Sequence, residues 1–121
     1  MSDKRILVVD DDEQILEMMQ EILEEEELES DRCLSALEAI SKLSESKFDL
    51  VVSDVRMPEM DGFELLGFIK DRYPDTRVIL MTGYTDDYDI SDALIQGADD
   101  YITKPFDIDK VVYSIKNSLS M

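Results

Sequence analysis

Four short apolar runs, Ile6–Val9, Leu50–Val52, Val78–Met81 and Tyr101–Thr103, each give way at the carboxyl end to polar side chains: Asp10-Asp11, Asp54, Thr82 and Lys104. The first three runs are continuously apolar rather than alternating, the pattern of strands covered on both faces by helices in a parallel sheet. Between them the period changes. Ile15, Met18, Met19, Ile22 and Leu23 recur at helical spacing, predicting an amphipathic helix. Residues 29–33 read as a weaker, more polar strand. Ser35 and Glu38 have capping-box spacing before a helix carrying Leu37, Ile40 and Leu43, and Asp61 and Glu64 repeat it before Phe63, Leu66 and Ile69. A helix is expected over about 86–96, burying Ile90, Ala93 and Leu94 and stopped by Gly97. Asp107 caps a last helix with Ile108, Val111, Val112, Ile115 and Leu119 on one face. Connections this short between alternating strands and helices demand right-handed crossovers. The expectation is one α/β domain over residues 1–121. Its five parallel strands take the flavodoxin-like order 2-1-3-4-5, with helices on both faces and the polar second strand at an edge.

In that order the first and third strands are neighbours, and the crevice between them is where open α/β sheets bind ligands. Asp10, Asp11 and Asp54 meet there, with Thr82 and Lys104 arriving from the next two strands. Crowded carboxylates must protonate or take a cation. The chain has no histidine and one cysteine, Cys33, so the ligands are oxygens and the ion is a hard one such as Mg²⁺. Lys104 and the Thr82 hydroxyl suit an anion, with Gly83 leaving room beside Thr82. The first helix turns its N-terminus, at Asp12-Glu13, to the same crevice. Together these groups describe a phosphoryl pocket with a carboxylate as nucleophile.

Composition narrows the partners. Thirty acidic residues against 12 basic give a net charge of −18, which repels phosphate backbones and anionic lipid, so no direct nucleic-acid or membrane contact is expected. A lone cysteine excludes an intrachain disulfide, and Cys33 reads as a small buried hydrophobe. No apolar run has the length of a membrane span, and the N-terminus lacks a signal-peptide pattern; the expected location is cytoplasmic.

The quoted pieces, Ile6-Leu7-Val8-Val9-Asp10-Asp11, Ser53-Asp54-Val55-Arg56-Met57-Pro58 with Asp61-Gly62, Met81-Thr82-Gly83 and Tyr101-Ile102-Thr103-Lys104-Pro105-Phe106, occur in order. From about Arg5 to Leu119 the chain resembles the receiver domain of bacterial two-component response regulators. The resemblance implies a phosphorylation switch rather than an enzyme acting on other molecules. Asp54 would be the phosphoacceptor. Mg²⁺, or Mn²⁺ in its place, would be held by Asp11, Asp54 and the backbone carbonyl of Arg56, with Asp10 acting mostly through a metal-bound water. Lys104 would pair with a phosphoryl oxygen, and Thr82 would move in to bond another. Tyr101 would then turn inward and alter the surface made by the fourth predicted helix, the fifth strand and the fifth helix. A cis bond before Pro105 is implied as well. The donor would be a sensor histidine kinase or phosphotransfer protein, and the target an output protein or a missing C-terminal effector domain.

Rival readings fit less well. A haloacid-dehalogenase-type phosphatase needs an acid two residues after its nucleophile, where this chain has Arg56. A flavodoxin-like electron carrier needs a phosphate-binding Ser/Thr-Gly loop after the first strand, where aspartates stand. A calcium loop starting at Asp10 needs glycine at its sixth position, which is Ile15. Acids Asp86, Asp87, Asp89 and Asp92, with no Lys or Arg between Arg77 and Lys104, point to a basic or apolar output partner.

Overall fold

A computed structural model describes residues 4–83 and 96–120. Five parallel strands, β1 (Ile6–Val9), β2 (Ser30–Cys33), β3 (Leu50–Asp54), β4 (Arg77–Gly83) and β5 (Asp100–Lys104), form one sheet in the order β2-β1-β3-β4-β5. The described helices are α1 (Glu13–Glu25), α2 (Ala36–Glu45), α3 (Gly62–Arg72) and α4 (Ile108–Leu119). This is the architecture expected from the sequence. The helix anticipated over 86–96, with Ile90, Ala93, Leu94 and its acids, lies almost wholly outside the described residues. No helix among the described residues is long and apolar enough to cross a membrane.

Strand side chains alternate between the two faces, and the core divides accordingly. Leu7, Val9, Val51, Val78 and Leu80 meet α2 and α3. Ile6, Val8, Val52, Ile79 and Met81 meet α1 and α4. Both layers being apolar, β1, β3 and β4 have no solvent face, which is why their sequences run unbroken.

Caps set the helix ends. Asp12 accepts from the Gln14 N–H at 2.9 Å, Asp107 from the Asp109 N–H at 3.1 Å, and Asp61 and Glu64 form a reciprocal capping box. At α2 the box is only half made. Ser35 Oγ accepts from the Glu38 N–H, but Glu38 Oε1 accepts from the N–H of Leu34.

The buried helix faces keep most of the expected residues, Met19, Ile22, Leu23, Leu43, Leu66, Ile69, Val111 and Ile115 among them, and differ at a few positions. In α1 the inward residues are Leu16, Met19, Ile22 and Leu23, while Met18 is 43% exposed. In α2 they are Ala36, Ala39 and Leu43, with Leu37 exposed. Ile108, counted on the inner face of the last helix, is the first residue of α4 and is 59% exposed. Phe63 and Phe106 are only partly buried, each packed against one core layer.

At the end of α1, Leu28 N–H donates to Leu23 O at 2.9 Å and Glu27 N–H to Glu24 O at 3.0 Å. This paired closure places Glu27 at φ 59, a left-handed position that suits glycine. Glu27→Gly is expected to stabilise the fold by about 1 kcal/mol, the usual cost of a side chain there less glycine's own entropy. Urea unfolding should show a higher midpoint at unchanged slope; a lower midpoint would contradict this assignment.

Candidate functional site

The crevice forms where each strand of the sheet's centre runs out of apolar residues. Asp10 directly follows β1, and its N–H still donates to Cys33 O at 3.2 Å, so the sheet holds its backbone. Asp54 ends β3, with Met81 as register partner on β4. Thr82 is the next residue of β4 and pairs in register with Thr103; Gly83 pairs with Lys104. Neighbouring strand ends thus deliver acid, hydroxyl and amine to one place.

One carboxylate oxygen each from Asp10, Asp11 and Asp54 lies within 4.8 Å of the others. Asp10 and Asp54 are buried, 0% and 7% exposed, whereas Asp11 is exposed. Lys104 Nζ bridges the buried pair, 3.1 Å from Asp10 Oδ2 and 3.3 Å from Asp54 Oδ1. The other Asp10 oxygen accepts from the Asp12 N–H at 2.9 Å, so α1's cap also orients the acid. The Arg56 N–H donates to the Asp54 carboxylate, and Ser53 Oγ donates to the Asp54 carbonyl at 3.0 Å. The Lys104–Pro105 peptide is cis.

Three acids against one ammonium leave the crevice electron-rich, and burial sharpens this. Desolvation, then the neighbouring Asp10 charge, push the Asp54 carboxyl up to about 6, although Lys104 pulls the other way. Desolvation also raises Asp10 above the ordinary carboxylate range. Burial lowers and the two carboxylates raise the Lys104 ammonium, and the balance is upward. An oxygen-only donor set of this charge fits a hard divalent cation of the Mg²⁺ kind.

Thr82 is 1% exposed, and its hydroxyl has no hydrogen-bond partner among the described residues. A buried hydroxyl left unpaired is costly, and a newly arrived acceptor would satisfy it. Tyr101 is half-buried on β5. Cys33 is buried and its thiol is pushed up to about 12 by desolvation, which makes it an inert core residue.

Gly62 matters in a way its place in a motif did not reveal. A Cβ there would stand 2.4 Å from the Asp54 carbonyl oxygen and 2.8 Å from Val55 Cα. Its N–H donates to Val55 O at 2.9 Å. The first turn of α3 is therefore laid directly on the backbone that carries Asp54. The available signal was a glycine at the first helical position, straight after a strong N-cap, where propensity alone disfavours it.

An open sheet in this strand order, with acids and a lysine gathered at its switch point, defines a flavodoxin-like receiver fold. The family model for the response regulator receiver domain matches residues 6–116, and the chain belongs to that family, the phosphorylation-dependent signalling modules of two-component systems. It is 36% identical over 120 residues to the DNA-binding transcriptional regulator NtrC of Proteus hauseri, covering 99% of this chain and 25% of that protein. It is 38% identical over 110 residues to the heme response regulator HssR of Staphylococcus saprophyticus, covering 91% of this chain and 49% of that one. The chain thus spans between a quarter and a half of the length of these relatives. A putative response regulator from Chloroflexus aurantiacus superposes with a TM-score of 0.94 at 28% identity, covering 99% of this chain and 100% of that one.

Proposed function

We propose that residues 1–121 form a receiver domain in which Asp54 takes a phosphoryl group from a phosphohistidine of a partner kinase or phosphotransfer protein, with Mg²⁺ bound beside it. The observation that carries the reading is the bridge of Lys104 to both Asp10 and Asp54 within a crevice of three acids. In the step proposed, an Asp54 carboxylate oxygen bonds to phosphorus as the phosphorus–nitrogen bond breaks. The ring leaves with the bonding pair and, because its other nitrogen carries a proton before the bond breaks, departs as neutral imidazole, while Asp54 becomes an acyl phosphate. Asp54 must be ionised to attack; in the metal-free crevice its carboxyl is held up to about 6, and a cation bound beside it would favour the ionised form. Lys104, already 3.3 Å from Asp54, offsets negative charge on the incoming group.

Asp10, Asp11, Asp54 and the Arg56 carbonyl would hold the cation, Mg²⁺ or Mn²⁺, which supplies charge neutralisation and orientation of phosphoryl oxygens. The unpaired Thr82 hydroxyl would then find an acceptor on the phosphoryl group, and Tyr101 would follow into the space vacated. The surface around β5 and α4 changes as a result, and an output protein or effector domain reads that change in the cytoplasm. The domain acts only on its own phosphorylation state.

Incubation with acetyl phosphate followed by intact-protein mass measurement tests this. One phosphoryl adduct is expected with Mg²⁺ or Mn²⁺ and little or none after chelation with EDTA. Equal adduct with and without chelator would overturn the metal-dependent reading.

A further inference from the structure

Asp100 opens β5 and ties together two elements. Its Oδ2 accepts from the Ser114 hydroxyl of α4 at 2.6 Å, and its Oδ1 accepts from the Tyr101 N–H at 2.8 Å. Ser114 is 4% exposed, so its hydroxyl is largely shielded from water and the bond to a carboxylate is of the strong, charge-assisted kind. Alongside lies a groove of about 650 Å³, lined by Asp100, Tyr101, Thr103, Tyr113 and Ser114 among others. Tyr101, half-buried at its border, has room to move.

The location on β5 gives the bond its consequence. The same strand carries Tyr101 near its start and Lys104, which touches Asp10 and Asp54, at its end. A pull on Lys104 acts on a strand whose beginning is pinned to α4 through Asp100. We infer that the Asp100–Ser114 hydrogen bond is a latch that holds Tyr101 in its present arrangement, so that Asp100 and Ser114 are positioning residues for the switch. The inference rests on the reading of Tyr101 given above. With the latch intact, leaving this arrangement requires work from the phosphoryl site. Without it, the alternative arrangement is populated before any phosphoryl group arrives, and linkage then requires tighter binding of whatever favours that arrangement.

The test uses the full chain labelled with 3-fluorotyrosine, the Tyr101 resonance being assigned by Tyr101→Phe and followed by ¹⁹F NMR during titration with beryllofluoride in Mg²⁺. In the unaltered protein the resonance should move on saturation. In Ser114→Ala it should lie partway to the saturated position at the outset, with the beryllofluoride midpoint lowered about threefold, a modest shift of a pre-existing equilibrium. Asp100→Ala should shift it at least as far, and the double variant no further than Asp100→Ala, because the residues act through one bond. A bond that merely stabilises would lower the melting temperature and leave resonance and midpoint untouched; that result in both single variants overturns the latch. An unaltered protein whose Tyr101 resonance does not respond overturns the reading of Tyr101 itself, and the latch with it.

Discussion

Replacing Asp54 with asparagine is expected to end phosphoryl uptake and, in the same protein, to stabilise the metal-free fold by about 2 kcal/mol at pH 7.5. The two effects share a cause. Asp54 has a folded-state carboxyl near 6 against an ordinary value of 3.8, so the native state binds its proton more tightly than the unfolded chain does. Stability from this group is therefore complete below about pH 4 and is lost as pH rises through 6. Above that the ionised acid costs the fold up to about 3 kcal/mol, each tenfold gain in proton affinity on folding counting for about 1.4 kcal/mol. Asparagine removes that cost but also one of the two carboxylates that Lys104 contacts, which brings the net gain down to about 2 kcal/mol. Urea unfolding at pH 5 and 7.5 checks it: the gap between variant and parent should be wide at the higher pH and narrow at the lower. Mg²⁺ should narrow it too by stabilising the parent more, since a ligand of the native state adds stability by mass action. A variant less stable than its parent at pH 7.5 would refute the burial argument, and a full phosphoryl adduct on the variant would refute the acceptor assignment.

Gly62→Ala is expected to do the opposite to stability and nearly as much harm to chemistry. The new methyl group would meet the Asp54 carbonyl oxygen at 2.4 Å and Val55 Cα at 2.8 Å, and both are backbone atoms that no rotamer change can move. Either α3 lifts off the end of β3, losing the 2.9 Å bond from Gly62 N–H to Val55 O, or the Asp54 backbone shifts. Overpacking of this kind costs about 3 kcal/mol. A displacement near 1 Å at a reacting group can slow a positioned reaction by about a hundredfold. The matching control is Gly67→Ala in the same helix, where nothing among the described residues stands within 4 Å of a new Cβ; there, alanine's helix propensity predicts a gain of about 0.5–1 kcal/mol. Phosphorylation rates with acetyl phosphate and unfolding midpoints of the two variants should diverge in both measurements. Equal behaviour would mean that the close approach at Gly62 has no functional weight.

These expectations draw unequally on sequence and on tertiary structure. Strand ends were legible residue by residue, because an apolar run buried on both faces must stop where the sheet meets water. That is why Asp10, Asp54 and Thr82 could be read from the order of residues as strand-end groups; the structure brings Asp10 and Asp54 together with Lys104, and Thr82 pairs with Thr103, one residue before that lysine. Caps were legible for a similar local reason: Ser35, Asp61 and Asp107 satisfy N–H groups two or three residues away. The buried face of each helix was less so. Spacing identifies a stripe, but whether Leu16 or Met18 points inward, or Ala36 rather than Leu37, depends on how far the neighbouring element stands off.

What the sequence determined by itself was the order of elements and the kinds of groups at the sheet's carboxyl edge, since both follow from patterns a few residues long. The tertiary structure alone decided the rest: the carboxyl of Asp54 held near 6, the reach of Lys104 to two acids, the close approach of the Asp54 and Val55 backbone that leaves no room for a methyl group at Gly62, and the Asp100–Ser114 bond. Each of these is set by distances between separate elements of the fold. Burial, Coulomb energy and steric fit change steeply over an ångström or two, a scale on which periodicity and composition carry no information.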